Sequence, residues 1–427
     1  MRAMSDALAH RGPDGSGVWT APGIGFGHRR LTILDAESGA QPMLDAVGRV
    51  AVVSDGKVYN FRELRAELEA RGHGFRSKSD TEVILAAWNQ WGPDCLQRFN
   101  GMFAFALYDA TADALLLARD RFGVKPLFYA ELADGALIFA SELKGLLAHP
   151  LFRRAPSPQA VDDHLAFGYV PDDASILAGV NKLAAGHYLL IRRGRPVPAQ
   201  VRWWDIDFTS DQSGTADELI ELMRQAVRSC MISDVPIGAL LSGGLESSAV
   251  LAFMAEASRS AVNTCSISLK EPEESRHAEL VARRFASSHR SRTIPADDFG
   301  IVQTIVDAFD EPFGQLCAPG TYRLAQLARE NMKVGLSGEG PDEAFAGHER
   351  YRRLLLEERA RRLFLEPVRN AANALGELHP KLARATRWHA ARPSSQRFRR
   401  NSEEAYADIV CATDAALRSK LYRPEFI

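Results

Sequence analysis

Between Leu240 and Val250 the chain reads Leu-Leu-Ser-Gly-Gly-Leu-Glu-Ser-Ser-Ala-Val. Gly243 and Gly244 let backbone N–H groups turn toward one point, and Ser242, Ser247 and Ser248 add hydroxyl donors. A helix starting there contributes the partial positive charge of its N-terminus, so the stretch is suited to binding an anion. The spacing is not the Gly-x-x-x-x-Gly-Lys-Ser/Thr of a Walker loop, and no lysine follows. A Ser-Gly-Gly loop after a buried strand suits pyrophosphate leaving from ATP; an ordinary glycine turn capping a helix is the plain alternative. The one acid, Glu246, stands where a tight phosphate site favours the shorter Asp. A second stretch, Val-Gly-Leu-Ser-Gly-Glu-Gly-Pro-Asp-Glu from residue 334, repeats the pattern of buried strand followed by Ser-Gly. Ser337 and Gly338 can meet the adenylate phosphate, while Glu339, Asp342 and Glu343 offer acids for a metal or an amino group. Two Ser-Gly loops at matching strand ends weaken the reading of either as a solvated turn.

The elements that must carry these loops follow from periodicity. Beyond residue 205 the pattern predicts helix 215–230, strand 236–241, helix 246–257, strand 262–269, helix 275–287 and strand 333–336. That alternation predicts a doubly wound parallel sheet with both loops at its carboxyl edge. From about residue 350 the chain is Arg- and Ala-rich and reads as helical, its Arg350 to Arg400 stretch as a solvated face. Residues 1–204 read differently, as short strands and turns stacked into sheets. Two amphipathic helices sit among them, at Phe-Arg-Glu-Leu-Arg-Ala-Glu-Leu from Phe61 and at Asp-Thr-Glu-Val-Ile-Leu from Asp80. A Pro-, Ser- and Gly-containing segment near residue 205 is the predicted domain boundary. Two domains are expected, 1–204 and 205–427, α/β in class and α+β overall.

Composition narrows the partners. The chain has 427 residues, is 46% hydrophobic and 25% charged, and carries a formal net charge of −2. No domain-wide basic excess favours nucleic acid, and no apolar run is long enough to span a bilayer. Five scattered cysteines without Cys-x-x-Cys spacing fit reduced thiols in a cytoplasm rather than a zinc site. Trp203-Trp204 reads as interdomain packing, and His28 and His348 as structural.

The two loops resemble the ATP loops of the glutamine-hydrolysing asparagine synthetases, a class II amidotransferase joined to an ATP-pyrophosphatase domain. The first half is similar too: HRGPDGSG, GHRRLTILD, GAQPM, YNFRELRAEL, SDTEVILAAW, GMFAFALYD, ARDRFGVKPLFYA and FASELKGLL occur in that family's order. The C-terminal third is most similar to bacterial amidotransferases associated with exopolysaccharide and exosortase gene clusters. The resemblance implies an N-terminal-nucleophile-type αββα sandwich that hydrolyses glutamine, and an internal tunnel for ammonia. It also implies a ligase domain, with a helical C-terminal part, that converts aspartate to asparagine through an acyl-adenylate, using ATP and Mg2+. Carried over by position, Arg30 holds the glutamine carboxylate, Asp80 its amino group, and Leu31, Ile33 and Leu34 line that pocket with Asp55, Gly56 and Lys57. Leu241 and Ile267 flank adenine and ribose. Ser242, Gly243, Gly244, Ser247 and Ser248 hold pyrophosphate. Ser337 and Gly338 meet the adenylate, Glu246, Glu339 and Asp342 are the catalytic acids, and Glu246 and Asp342 are the magnesium ligands. Aspartate or another carboxylate, glutamine or ammonia, and ATP are the implied small-molecule partners, and a homodimer is the candidate oligomer.

Against the family's pattern this chain departs at several positions. It begins downstream of the family's Met-Cys-Gly-Ile, so the nucleophilic cysteine is expected to be absent and the glutaminase inactive. It stops at Leu-Tyr-Arg-Pro-Glu-Phe-Ile, short of helices that carry a phosphate-contacting lysine; both ends together suggest a gene fragment. Asp55-Gly56-Lys57 replaces Asn-Gly-Glu, setting a negative charge where an oxyanion develops and reversing the next charge. Glu246 replaces Asp and moves the carboxylate by about 1 Å, a displacement for which a hundredfold loss is typical. Three readings follow: a ligase of this type with its glutaminase half disabled, a catalytically degenerate relative that acts by binding, or a ligase amidating a different carboxylate in cell-surface polysaccharide biosynthesis.

Overall fold

Residues 101–109, Gly-Met-Phe-Ala-Phe-Ala-Leu-Tyr-Asp, alternate so that Phe103, Phe105 and Leu107 fall on one face of a strand and Ala104, Ala106 and Tyr108 on the other. Both sets are buried, so this strand must have a layer on each side. The structure, a computed structural model, describes residues 1–209, 213–269, 272–295, 298–314, 317–363, 406, 410–413 and 415–422. By their contacts they divide into two compact units, Met1–Val161 with Tyr169–Ser337, and Asp162–Gly168 with Gly338–Ile427.

The first unit opens with β1 (Gly15–Ala21), β2 (Ile24–Arg30), β3 (Met43–Leu44), β4 (Val50–Val58), β5 (Gly101–Asp109) and β6 (Ala114–Arg119). It continues with β7 (Phe128–Glu131), β8 (Leu137–Ala140), β9 (Val180–Lys182), β10 (His187–Arg192) and β11 (Val201–Arg202). Their sheets run β11-β10-β6-β5-β4-β3, β8-β7-β9 and β1-β2, and every pairing among them is antiparallel. Helices Phe61–Ala70 and Asp80–Trp91 cover the face of the large sheet that carries Phe103 and Phe105. The second of them is capped by Ser79, whose hydroxyl accepts the Thr81 N–H, and has Asp80 and Glu82 in its first turn. The opposite face, with Ala104, Ala106 and Leu117, packs on Phe26 of β2 and on Leu127 and Tyr129 around β7. The far side of β7 and β8 is closed by Leu143 and Leu146, from helix Leu143–Leu147, with Met4 and Leu8. Helix, sheet, sheet, helix is the αββα sandwich. Trp203 lies 6.3 Å from Phe103, nearly parallel to it, so this tryptophan serves the sandwich's own core.

The same unit then turns to a parallel sheet in the order β14-β13-β12-β15, from β12 (Ile237–Leu240), β13 (Asn263–Leu269), β14 (Ser288–Ile294) and β15 (Val334–Leu336). Helix Ala216–Cys230 enters it through a capping box between Thr215 and Glu218. Helices Leu245–Ala257 and Pro272–Arg284 follow β12 and β13, and their Leu251, Met254, Ala278 and Ala282 form a core with Ala239 and Leu241. The sequence reading has no β14. Only Ile294 of it is buried, and its other residues are polar: His289 hydrogen-bonds Thr264 at 2.9 Å and Ser266 at 3.1 Å, and the exposed Thr293 meets Ser268 at 3.2 Å. Hydropathy has nothing to alternate there. In the second unit Asp162 accepts from Arg418 Nε at 2.8 Å and Tyr422 Oη at 2.7 Å. Of the arginine-rich stretch, residues 364–400 lie outside the described residues. Among the described residues no helix is long and apolar enough to cross a membrane.

Phe26 tests the sandwich. It is fully buried, with its ring centroid 5.6 Å from that of Trp19 and edge-on to Phe139 at 5.9 Å. Phe26→Ala should cost about 3–5 kcal/mol, read as a shift of the denaturant midpoint of the sandwich transition. A cost under about 1 kcal/mol would mean the two sheets are not close-packed there.

Candidate active site

Leu241 N–H donates to the Cys265 carbonyl at 2.9 Å, one last bond before the chain leaves the sheet. The Leu241 side chain is buried in the core with Leu251, so neither it nor the engaged N–H faces a ligand, which leaves the backbone carbonyl. Gly243 then takes φ +85°, and a Cβ there would stand 2.5 Å from the Ala278 nitrogen of the neighbouring helix. Only glycine meets both conditions. Ser242 Oγ lies 2.9 Å from Ser247 Oγ and accepts the Gly244 N–H at 3.3 Å. Ser248 Oγ donates to the Gly244 carbonyl at 2.6 Å. The three hydroxyls therefore hold the bend in shape at the N-terminus of helix Leu245–Ala257. Glu246 folds back over it, with Oε2 3.3 Å from the point where a Cβ on Gly244 would stand.

Strand β15 lies parallel beside β12, with Ile237 opposite Val334 and Ala239 opposite Leu336. Ser337 therefore follows its strand at the same carboxyl edge as Ser242. Ile267, on β13, packs with Cys265 and Leu324, and Gly320 in helix Ala318–Ala328 lies against it. In the second unit Glu339 and Asp342 are exposed, and Asp342 and Glu343 open the short helix Pro341–Ala344 after Gly340 at φ +106°. His348 Nε2 hydrogen-bonds Glu343 Oε1 at 2.8 Å and holds that carboxyl below its ordinary value.

The expected glutamine residues gather around β2, β4 and the start of helix Asp80–Trp91, but their polar groups are engaged. Arg30 donates to the carbonyls of Leu34 and Ala36, each at 3.1 Å, and of Asp35 at 2.5 Å. Leu31 is exposed, Ile33 and Leu34 half-buried. Asp80 accepts the Val58 N–H at 2.9 Å; burial raises its carboxyl, opposed by that bond and by Lys57. Gly56, at φ +117°, lies against Met102, whose carbonyl a Cβ would strike. His28 Nε2 donates to the Ser54 carbonyl at 3.3 Å, and burial lowers its imidazole. Lys57 is buried and donates to the Ile232 carbonyl, so it reaches out of the sandwich to the turn ahead of β12.

Asp55 is not a bare charge. Arg11 holds one of its oxygens at 2.6 Å and Lys125 the other at 3.2 Å. Arg11 also reaches Glu142 at 2.9 Å, Glu142 holds Lys144 at 2.7 Å, and Lys144 holds Asp310 at 2.7 Å. This chain of alternating charges runs beside a cavity of about 430 Å3, lined by Arg11, Phe128, Glu142, Tyr169, Phe309 and Asp310 among others. The sequence reading singled out none of Arg11, Lys125, Glu142, Lys144 or Asp310, although the first four lie within segments it quotes.

Burial pushes the Asp55 carboxyl up, but Lys125 and then Arg11 outweigh it and hold it below its ordinary value. A carboxyl depressed in the folded state adds stability that is present above the unfolded value, about 4, and is lost as pH falls through the folded one. Asp55→Asn should thus be less stable than wild type at pH 7, with the difference closing below about pH 4. Thermal melts across that range would show a constant difference instead if the two ion pairs contribute nothing.

Residues 1–204 match the family model described as glutamine amidotransferase domain, and residues 218–423 the one described as asparagine synthase. The chain is 33% identical over 359 residues to the glutamine-hydrolyzing asparagine synthetase 1 of Bacillus subtilis, covering 82% of this chain and 56% of that protein. It is 34% identical over 377 residues to the putative glutamine-hydrolyzing asparagine synthetase 2 of Methanocaldococcus jannaschii, covering 81% and 72%. Against the glutamine-hydrolyzing asparagine synthetase B of Escherichia coli the identity is 30% over 363 residues, covering 81% and 60%. The chain thus spans little more than half of the first of these relatives. A sandwich of this topology, a Ser-Gly-Gly bend at a parallel sheet's carboxyl edge and a third-identical relative covered over most of its length agree: the chain belongs to the glutamine-hydrolysing asparagine synthetase family.

Proposed function

We propose that the chain is an ATP-dependent, amide-forming ligase, with a sandwich domain over residues 1–204 and a ligase domain over 205–427. One observation carries this reading: adjacent parallel strands deliver the Gly243 bend and Ser337 to one sheet edge, where no Cβ fits at Gly243. In open α/β sheets that edge is where ligands bind. Ser242, Gly243, Gly244, Ser247 and Ser248 hold the leaving pyrophosphate, Leu241 and Ile267 flank base and ribose, and Ser337 serves the adenylate; roles for Gly338, Glu339 and Asp342 rest on the family resemblance alone. A substrate carboxylate oxygen attacks the α-phosphorus of ATP and pyrophosphate leaves; ammonia then attacks the acyl carbon, AMP departs and an amide remains. Aspartate is the first carboxylate to test.

Among the described residues no three His, Cys, Asp or Glu side chains come together to hold a metal. Magnesium accepts such a site, because it keeps several waters and takes its other oxygens from phosphate and one or two carboxylates. Glu246, over the bend, fits as one such carboxylate. A bound ion would supply neutralisation of phosphate charge there, while the bend and hydroxyls orient the leaving group.

On the sandwich side we propose that free ammonia, rather than glutamine, supplies the nitrogen. Arg30, Asp55, Lys57 and Asp80 each have a protein partner in place of a substrate. The anion at residue 55 opposes a developing oxyanion, whichever cation it holds.

Release of pyrophosphate from ATP, aspartate and ammonium, against a Gly243→Ala control, tests the ligase reading. The wild type should exceed the control by about a hundredfold, since Ala278 leaves no room to recover the bend. Equal release would leave a nucleotide-binding protein without this chemistry, and release only with another carboxylate would name a different acyl substrate. Glu246→Asp should raise the rate, and glutamine in place of ammonium should yield no glutamate.

A further inference from the structure

Five residues between helices Val302–Ala308 and Ala318–Ala328 form a compact unit. Phe309 and Phe313 stack with their centroids 4.7 Å apart and planes 7° from parallel, so the chain between them doubles back. That turn presents Asp310 and Glu311 to the sandwich, and each carboxylate receives one lysine and one backbone N–H. Asp310 takes Lys144 Nζ at 2.7 Å and Lys144 N–H at 3.0 Å. Glu311 takes Lys182 Nζ at 2.7 Å and Ile176 N–H at 2.9 Å. The Asp310 and Glu311 side chains are 12% and 17% exposed, so these pairs are screened from solvent far more than surface pairs. Lys182 also donates to the carbonyls of Val170 and Pro171, at 3.2 and 3.3 Å, and Lys144 to that of Ala308 at 3.3 Å.

We infer that Phe309–Phe313 is a latch whose two carboxylates, seated on Lys144 and Lys182 of the sandwich, fix the helix Ala318–Ala328 against β13 and so position the nucleotide pocket at Ile267. The helix starts five residues after Phe313, and Gly320 in its first turn would place a Cβ 3.4 Å from Ile267 Cδ1. Its later residues Leu324, Leu327 and Ala328 pack on Cys265, Ile267 and Met332. Helix Val302–Ala308, which ends at the latch, also neighbours Ala318–Ala328, and through it a shift at the latch reaches the strand that borders the loop. Asp310 and Glu311 are positioning residues: they touch no reacting atom and act through the helix. The positional part rests on the proposed nucleotide site; the latch itself does not.

The full-length Asp310→Asn/Glu311→Gln double variant tests it by amide hydrogen exchange and by ATP titration. Exchange in Ala318–Ala328 should accelerate about tenfold and the ATP Kd rise about tenfold, while exchange in β4 and β5 stays at the wild-type rate. Lys144→Arg, which keeps the cation, should retain wild-type values in both. Unchanged exchange in that helix in a folded double variant would overturn the latch. Faster exchange with an unchanged Kd would overturn the positioning role. If the wild type binds no ATP, the proposed function fails while exchange still decides whether the latch exists. Should the double variant not fold, Glu311→Gln alone and Asp310→Asn alone give the same two measurements, with unchanged helix exchange in both again the overturning result.

Discussion

Two short strands lying parallel, β12 and β15, set the terms for everything the site can do. Three residues of each are in register, Ile237 to Ala239 against Val334 to Leu336. Both strands stop together, and the chain leaves each at one edge of the sheet. Ligands bind at that edge of open parallel sheets, and the bend at Gly243 stands there with its Ser242 and Gly244 N–H groups on the Ser247 and Ser242 hydroxyls. Because Gly243 is closed in by the backbone of Ala278, the bend cannot relax outward when the polar groups around it change. The internal bonds of Ser242, Ser247 and Ser248 act in the same direction, keeping the donor set assembled before any anion arrives. Preorganised dipoles of this kind need no rearrangement at the moment of reaction.

The parts of this arrangement that could be read from sequence are those that rest on local rules. Alternation in Gly101–Asp109 reports a strand buried on both faces, and Ser79 with Asp80 and Glu82 reports a helix start, because both signals lie within one element. The Ser-Gly-Gly bend is legible for the same reason, since glycine at a positive φ is a property of the residue itself. β14 is not legible, because His289 and Thr293 satisfy hydroxyls on β13 and so carry no apolar signature. The charge network is illegible for a different reason. Arg11 and Asp55 are 44 residues apart, and Lys144 and Asp310 are 166 apart. Each looks like an ordinary surface charge until the chain brings its partner to it.

That difference changes the meaning of Asp55 and Lys57. Seen in the sequence alone, they are two charges placed where the chemistry of the family is hindered. In the folded chain Asp55 is the hinge of a charge sequence that starts at Lys125 and reaches Asp310, and Lys57 ties β4 to the turn at Ile232. Neither is an isolated lesion in an otherwise unchanged pocket. With an uncharged residue 55, Arg11 would keep only Glu142 and Lys125 would lose this carboxylate, so the aspartate is matched to its surroundings.

The same charges explain why the sandwich and the parallel sheet belong to one compact unit in spite of their different architectures. The buried cores around Phe103, around Phe26 and around Leu251 share no residue, although Ile232 packs on the first of them. Polar contacts also cross from one to the other, at Lys57 to Ile232, Asp35 to Asp234, Lys144 to Asp310 and Lys182 to Glu311. Polar junctions between two apolar bodies cost little area and set direction, since each hydrogen bond tolerates only a narrow range of angles.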